Sequence, residues 1–226
     1  VASDTPNPYT PPAPPPHLPN RDLIAQHLDG IAFPLRLSFR SLALAPRIDI
    51  TDANGRHVLH ARQKFFSLRE HVDLFTDTAA TTRLAQIHPD HIPGWSARYR
   101  FTDASNTTTG TIGRQHRRSL WRARYTLFNP DNSTPPFTIR EENPVAKTID
   151  RTLSQIPILN FLTIPFFKPR YLASSPSGTP ALRLIKRPAL RQGTFAIEQS
   201  SPASPLEILN LILSFLMLAI LEHRRG

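Results

Sequence analysis

From Leu35 onward the chain alternates apolar and polar residues with a period of two. Leu35, Leu37 and Phe39 are interleaved with Arg36, Ser38 and Arg40, the pattern of a strand with one dry and one wet face. Ile48 and Ile50 lead into Asp52-Ala53-Asn54-Gly55, where Asn-Gly marks a hairpin because both residues tolerate positive φ. Val58 to Ala61 is the natural return strand. Further strands are predicted over 65–68, 72–75, 95–101, 120–128, 137–141, 182–186 and 194–198. Two of them alternate strictly: Trp95, Ala97, Tyr99 and Phe101 oppose Ser96, Arg98 and Arg100, and Trp121, Ala123, Tyr125 and Leu127 oppose Arg122 and Arg124. Many short strands with turn signals between them predict a sandwich or barrel.

The period shifts to that of a helix in three places. Asn20 caps a short helix over 21–29 that Gly30 ends, and Asn143-Pro144 opens another that runs to about Gln155, before Pro157. Ser204-Pro205-Leu206-Glu207 is a complete helix start, with a Ser cap, Pro at the first helical position and Glu closing a capping box. From Ile208 to Leu221 every side of this helix is apolar except at Asn210 and Ser214. Such a helix is buried all round, by protein or by lipid. The uncharged run spans roughly 21 Å, whereas a bilayer core asks for about 20 residues over about 30 Å. Length favours a core helix over 204–223; a membrane anchor with Arg224 and Arg225 at the surface is the alternative.

A chain of 226 residues suits one well-buried core. Eight of the 24 prolines fall before residue 20, so residues 1–19 are expected to be a disordered Pro-rich tail and residues 20–226 one barrel domain. The polar, Pro-rich start has no apolar stretch of signal-peptide type, and a cytoplasmic, membrane-associated location is expected. The absence of cysteine excludes a disulfide framework, thiolate zinc sites and a cysteine nucleophile. The formal charge of +10, carried by Arg far more than by Lys, favours an acidic partner such as an anionic membrane, a nucleic acid or an acidic protein.

Several segments resemble the tubby C-terminal-like superfamily, in its LURP-one-related and phospholipid scramblase-like branch. Gln63-Lys64-Phe65-Phe66-Ser67-Leu68-Arg69-Glu70 is similar to that branch's recurrent Gln-Lys-Leu-Phe-Ser-Leu-Arg segment. Gly113, Arg114 and Ser119-Leu120-Trp121 resemble its later strand pair, and Glu141-Glu142-Asn143-Pro144 through Asp150 resembles a link in microbial members. The likeness runs from about Leu35 to the end. It implies a closed antiparallel twelve-stranded barrel, mainly β, around a central hydrophobic C-terminal helix, and roles linked to phosphoinositides or anionic bilayers. The chain departs from the scramblases: Gln199 to Pro205 carries no acid and there is no cysteine, so no calcium site is identified and calcium-driven scrambling is not expected.

The candidates for an anionic ligand are Arg98, Arg100, Arg114, Arg117, Arg118, Arg122 and Arg124, on the wet faces or connecting loop of two strands read as neighbours. The planar guanidinium fork suits phosphate; the competing explanation is a charged strand face that discourages edge pairing. Lys186, Arg187 and Arg191 form a weaker cluster. His57 and His60 have a spacing that suggests metal, but residues three apart on a strand point to opposite faces, which argues against the pair. His88 and His91 are read as loop residues beside Pro89 and Pro93, and Asp49, Asp52 and Asn54 as a turn rather than a calcium loop. No metal site and no cofactor is therefore assigned. No Gly-rich phosphate loop, Gly-x-Ser-x-Gly elbow or Cys/His pair is present.

The expectation is a non-enzymatic binding or scaffold protein that meets anionic phospholipid headgroups or a protein partner at the membrane periphery. The rivals are a scramblase-like protein anchored by its last helix and a basic nucleic-acid-binding domain. The latter is disfavoured because Trp95, Tyr99, Trp121 and Tyr125 are in phase with the dry faces. If the last helix is a core element, Leu213→Asp or Leu216→Asp buries an unpaired charge and yields insoluble protein in a solubility and thermal-melt assay; a soluble, cooperatively melting variant would contradict it.

Overall fold

The computed structural model describes residues 21–40, 47–64, 71–90, 98–114, 124–130, 137–142, 170–187 and 194–223. The strand predicted over 65–68 and the helix over 143–155, with the Pro-rich tail, lie outside them. Helix α1 (Arg21–Leu28) precedes twelve strands, β1 (Leu35–Arg40), β2 (Arg47–Thr51), β3 (His57–Lys64), β4 (His71–Phe75), β5 (Arg83–Asp90), β6 (Arg98–Asp103), β7 (Thr108–Arg114), β8 (Arg124–Phe128), β9 (Phe137–Glu141), β10 (Arg170–Ser174), β11 (Pro180–Arg187) and β12 (Thr194–Gln199). Helix α2 (Pro205–His223) follows. Each strand pairs with its sequence neighbours, and β1 pairs with β12 to close the barrel. An even number of up-and-down strands brings the first and last together antiparallel, with Leu35 opposite Ile197 and Leu37 opposite Phe195.

The alternation read from the sequence sets the two faces. Leu35, Leu37, Phe39, Ile48, Ile50, Leu59, Leu74, Phe101, Ile112, Leu127, Ile139, Leu184 and Ile197 are buried in one core together with α2. Eight strands close on their own side chains, whereas a wider barrel encloses space; a helix about 10–12 Å across fills it. Residues 209–220 of α2 are buried on every side, and α2 contacts β7 and β8 on one side of the ring and β12 on the other. The expected capping box forms: the Ser204 N–H and Oγ donate to the Glu207 carboxylate at 2.9 and 2.7 Å.

Two polar contacts fix how α2 sits in the barrel. Near its start, Asn210 Nδ2 donates to the Thr109 carbonyl of β7 at 2.7 Å. At its end, the Tyr171 hydroxyl of β10 donates to Glu222 at 2.7 Å; burial and this acceptor hold the phenol well above its ordinary pKa. Gly110 makes room for the first contact. A Cβ there would meet Asn210 Nδ2 at 2.9 Å, Asn210 Cγ at 3.1 Å and the Phe128 carbonyl at 3.1 Å.

The hairpins at one end of the barrel share a turn. In Asp52–Arg56 and in Asp103–Thr107 the first and fifth residues pair through the backbone at 2.9 Å. The Asp carboxylate of each accepts the N–H groups two and four residues on, at 2.8–2.9 Å. The fourth residue has positive φ, Gly55 at 80° and Asn106 at 61°. Ser175–Thr179 repeats the backbone pattern with Gly178 at 86°. At 76–82 the Asp77 carboxylate accepts from Thr82 and Thr81, which lowers its pKa to about 2. Each of these four hairpins carries a register shift beside its turn.

Three strands escape the sequence reading: β5, β7 and β10. His88 and Pro89, read as a loop, belong to β5, where Pro89 pairs with Tyr99 of β6 and lies past the described start of β4. Gly110→Ala is expected to force α2 and β7 apart and to lower stability by about 1–3 kcal/mol, read as a shifted urea midpoint with an unchanged slope.

Candidate functional site

The outer wall of β6 to β9 is the best-defined charged surface. Arg98 and Arg100 on β6 are in phase with Thr102 and out of phase with inward Phe101, and Arg124 on β8 and Arg140 on β9 are in phase with Thr126 and Thr138. Arg124 stands directly opposite Arg140, and both are exposed. Arg100 is also exposed, while Arg98 is half-buried and donates to Thr111 Oγ1 at 3.3 Å. Among the described residues, the outward positions within β6 to β9 carry no Asp or Glu, while Asp90 of β5 stands opposite Arg98 and Glu142, just past β9, pairs with Arg183. Cross-strand neighbours of like charge, with Cβ atoms about 4.5–5.5 Å apart, are unfavourable unless an anion is shared between them.

This arrangement corrects the sequence reading in two respects. The strands bearing Arg98, Arg100 and Arg124 are not neighbours, because β7 lies between β6 and β8. Arg114 lies on β7, in phase with inward Ile112, rather than in a connecting loop, and is exposed at the strand end. Arg117, Arg118 and Arg122 fall outside the described residues, as do Trp95, Trp121, His91 and Arg191. Tyr99 and Tyr125 do face inward, opposite Ile112 and Ile139. Arg140 was missed, since the sequence reading found a strand over 137–141 without weighing its outer face. Of the weaker basic cluster, Arg187 is neutralised by Glu198 at 3.0 Å.

A second polar group lies on β4 to β6. Gln86 Nε2 donates to Asp73 Oδ1 at 2.5 Å, Thr102 Oγ1 lies 3.3 Å from His88 Nε2, and His71 Nε2 lies 3.6 Å from Asp73 Oδ2. The rings of His71 and His88 stack with centroids 5.9 Å apart. Burial holds the His88 pKa below its ordinary value, and repulsion by His71 and by Arg100 acts in the same direction.

The third group, on the β2–β3 hairpin, overturns the argument from strand alternation. Thr51 pairs with His57 but Ile50 pairs with Leu59, so Val58 is an extra residue in β3. That bulge restores the phase between residues three apart. His57, His60 and Asp49 all point outward, with their ligating atoms within 4.8 Å of one another. Asp52 and Asn54 form the turn as read, but Asp49 belongs to this cluster instead.

Comparison with family models and with curated proteins finds no match to this chain.

The depressed pKa of His88 sets a pH dependence. Above about pH 6.5 the ring is neutral folded or unfolded; as pH falls below that value the unfolded chain takes up a proton that the folded ring resists, so stability is lost until pH passes below the folded pKa. Urea unfolding at pH 7.5 and pH 5 is expected to show a smaller loss for His88→Gln than for the unmodified chain.

Proposed function

We propose that this protein is a non-enzymatic binding protein that attaches peripherally to anionic membrane surfaces, with the arginine-bearing outer wall of β6 to β9 meeting lipid headgroup phosphates. The observation that carries this reading is the outer face of β8 and β9 on which Arg124 stands directly opposite Arg140. Guanidinium groups bind phosphate oxygens bidentately, and a phosphate between two opposed arginines turns a repulsive pair into an attractive site. The competing explanation, arginines placed to block edge pairing, loses its basis in a closed barrel, which has no edge.

Two further features favour peripheral contact. Helix α2 occupies the space that a barrel of this width would otherwise offer a ligand, which moves the search for a binding surface to the outside. The same helix is long and apolar enough to cross a membrane, with a mean hydropathy of 1.9 over Pro205–Glu222. Withdrawing it would expose the core cluster it completes, so attachment through the outer wall needs no unfolding. The net charge of +10 attracts the chain to an anionic surface over a longer range. The resemblance to the tubby-like and scramblase-like proteins is in keeping with a lipid partner and contributes nothing to the choice of residues.

Co-sedimentation with neutral, phosphatidylserine and phosphoinositide vesicles at low and physiological salt tests the proposal. Pelleting with the anionic vesicles alone is expected. At about 1 kcal/mol for each arginine near the surface, Arg124→Gln with Arg140→Gln should weaken binding roughly thirtyfold. Absence of pelleting with every vesicle would refute the reading and direct the search to protein partners.

A further inference from the structure

The cluster on the β2–β3 hairpin has the donors and the geometry of a metal site. Asp49 Oδ1 lies 2.6 Å from His60 Nδ1 and 3.8 Å from His57 Nε2. Donors bound to one tetrahedral ion at about 2.0–2.1 Å sit about 3.3 Å apart, a spacing that these two distances bracket. Asp49 and His60 are almost wholly buried, and His57 is 27% exposed, leaving one open side.

A hydrogen bond between Asp49 and His60 would by itself be an ordinary structural contact. It does not account for His57. The Nε2 atom of His57 is buried and has no hydrogen-bond partner, although it faces the carboxylate. Asp49 Oδ2 of the same cluster is likewise buried without a hydrogen bond, and an unpartnered buried imidazole nitrogen costs free energy that a bound ion would recover. The bulge at Val58, which turns His57 to this face, is the local distortion that creates the arrangement.

We propose that Asp49, His57 and His60 form a three-ligand site for a zinc-type divalent ion. Two imidazoles and one carboxylate favour zinc, cobalt or nickel over calcium and magnesium, which prefer oxygen donors. Arg40 Nε lies 2.5 Å from Asp49 Oδ2 and orients the carboxylate so that Oδ1 points at the ion, the role of an outer partner at a metal centre. Its positive charge, carried on a side chain 68% exposed to solvent, moderates affinity without occupying a donor. On binding, His60 takes the tautomer with its proton on Nε2, the Nδ1 proton passing to solvent as Nε2 gains one, so that the neutral ring offers its Nδ1 lone pair to the ion. Three protein donors leave the fourth position of a tetrahedral ion to water or to a further ligand.

The test is calorimetric titration of Zn²⁺ into the metal-stripped full chain. One equivalent is expected to bind with micromolar or tighter affinity, and His57→Gln to weaken it by about tenfold or more, whereas the double variant His71→Gln with His88→Gln leaves it unchanged. The partly exposed His57 is chosen because its replacement disturbs packing least, and a thermal melt checks that the variant folds. Co²⁺ added to the unmodified chain supplies a readout that needs no variant, since a low-coordinate site gives intense visible absorption. Failure to bind Zn²⁺, binding that His57→Gln leaves intact, or a Co²⁺ spectrum no stronger than that of the hydrated ion would each overturn the proposal.

Discussion

An α-helix that is apolar on every side cannot rest on a surface, and the rest of this fold answers that constraint. Residues 209–220 of α2 have no polar face to leave in water, so they require shielding through a full turn. A twelve-stranded barrel supplies it, and the helix in turn fills a space that the strands' own side chains would leave open. Each fully buried Leu, Ile or Phe contributes about 1.5–3 kcal/mol, so packing supplies most of what holds helix and barrel together. Packing alone is tolerant of sliding and rotation. Asn210 against Thr109 and Tyr171 against Glu222 add little net energy, about 1 kcal/mol each, but they hold α2 at one depth and one rotation.

With the interior committed to the helix, the proposed binding chemistry falls to the outer wall and the hairpins. The strand period puts every second residue outside, where packing imposes few demands. That freedom is visible in Arg100, Arg124 and Arg140, whose exposed positions no core requirement explains. It is equally visible at the turn-bearing end, where hairpins built on Asp52 and Asp103 adopt the same backbone form. The register shift beside such a turn moves the strand out of strict alternation. On β3 this displacement carries His57 to the side of Asp49 and His60, so a device that shapes the barrel end also assembles a set of metal-ligating groups.

The sequence reading succeeded where local pattern and burial coincide and failed where a long-range contact dictates the residue. β7 reads Thr-Thr-Gly-Thr-Ile-Gly-Arg, with one large apolar residue, because Gly110 must be small to admit Asn210 from a helix a hundred residues away. Its preceding turn has Asn106 rather than glycine at the positive-φ position, so the hairpin signal evident at Asn54-Gly55 was weaker there. Losing β7 made β6 and β8 look adjacent and left Arg114 in a loop between them. β5 was hidden by Pro89 and by the bulge that breaks its alternation at Leu84.

By itself, the sequence determined a mainly β body with dry and wet strand faces, and a capped terminal helix needing burial all round. Both follow from periodicity and hydrophobicity, which act between near neighbours. Only the tertiary structure decided strand order, ring closure, the opposition of Arg124 and Arg140, and the meeting of Asp49 with His57 and His60. Those depend on register, and register is set by packing against the helix and by single-residue bulges. Inserting one residue reverses the face of every side chain beyond it, and no local pattern marks where it falls.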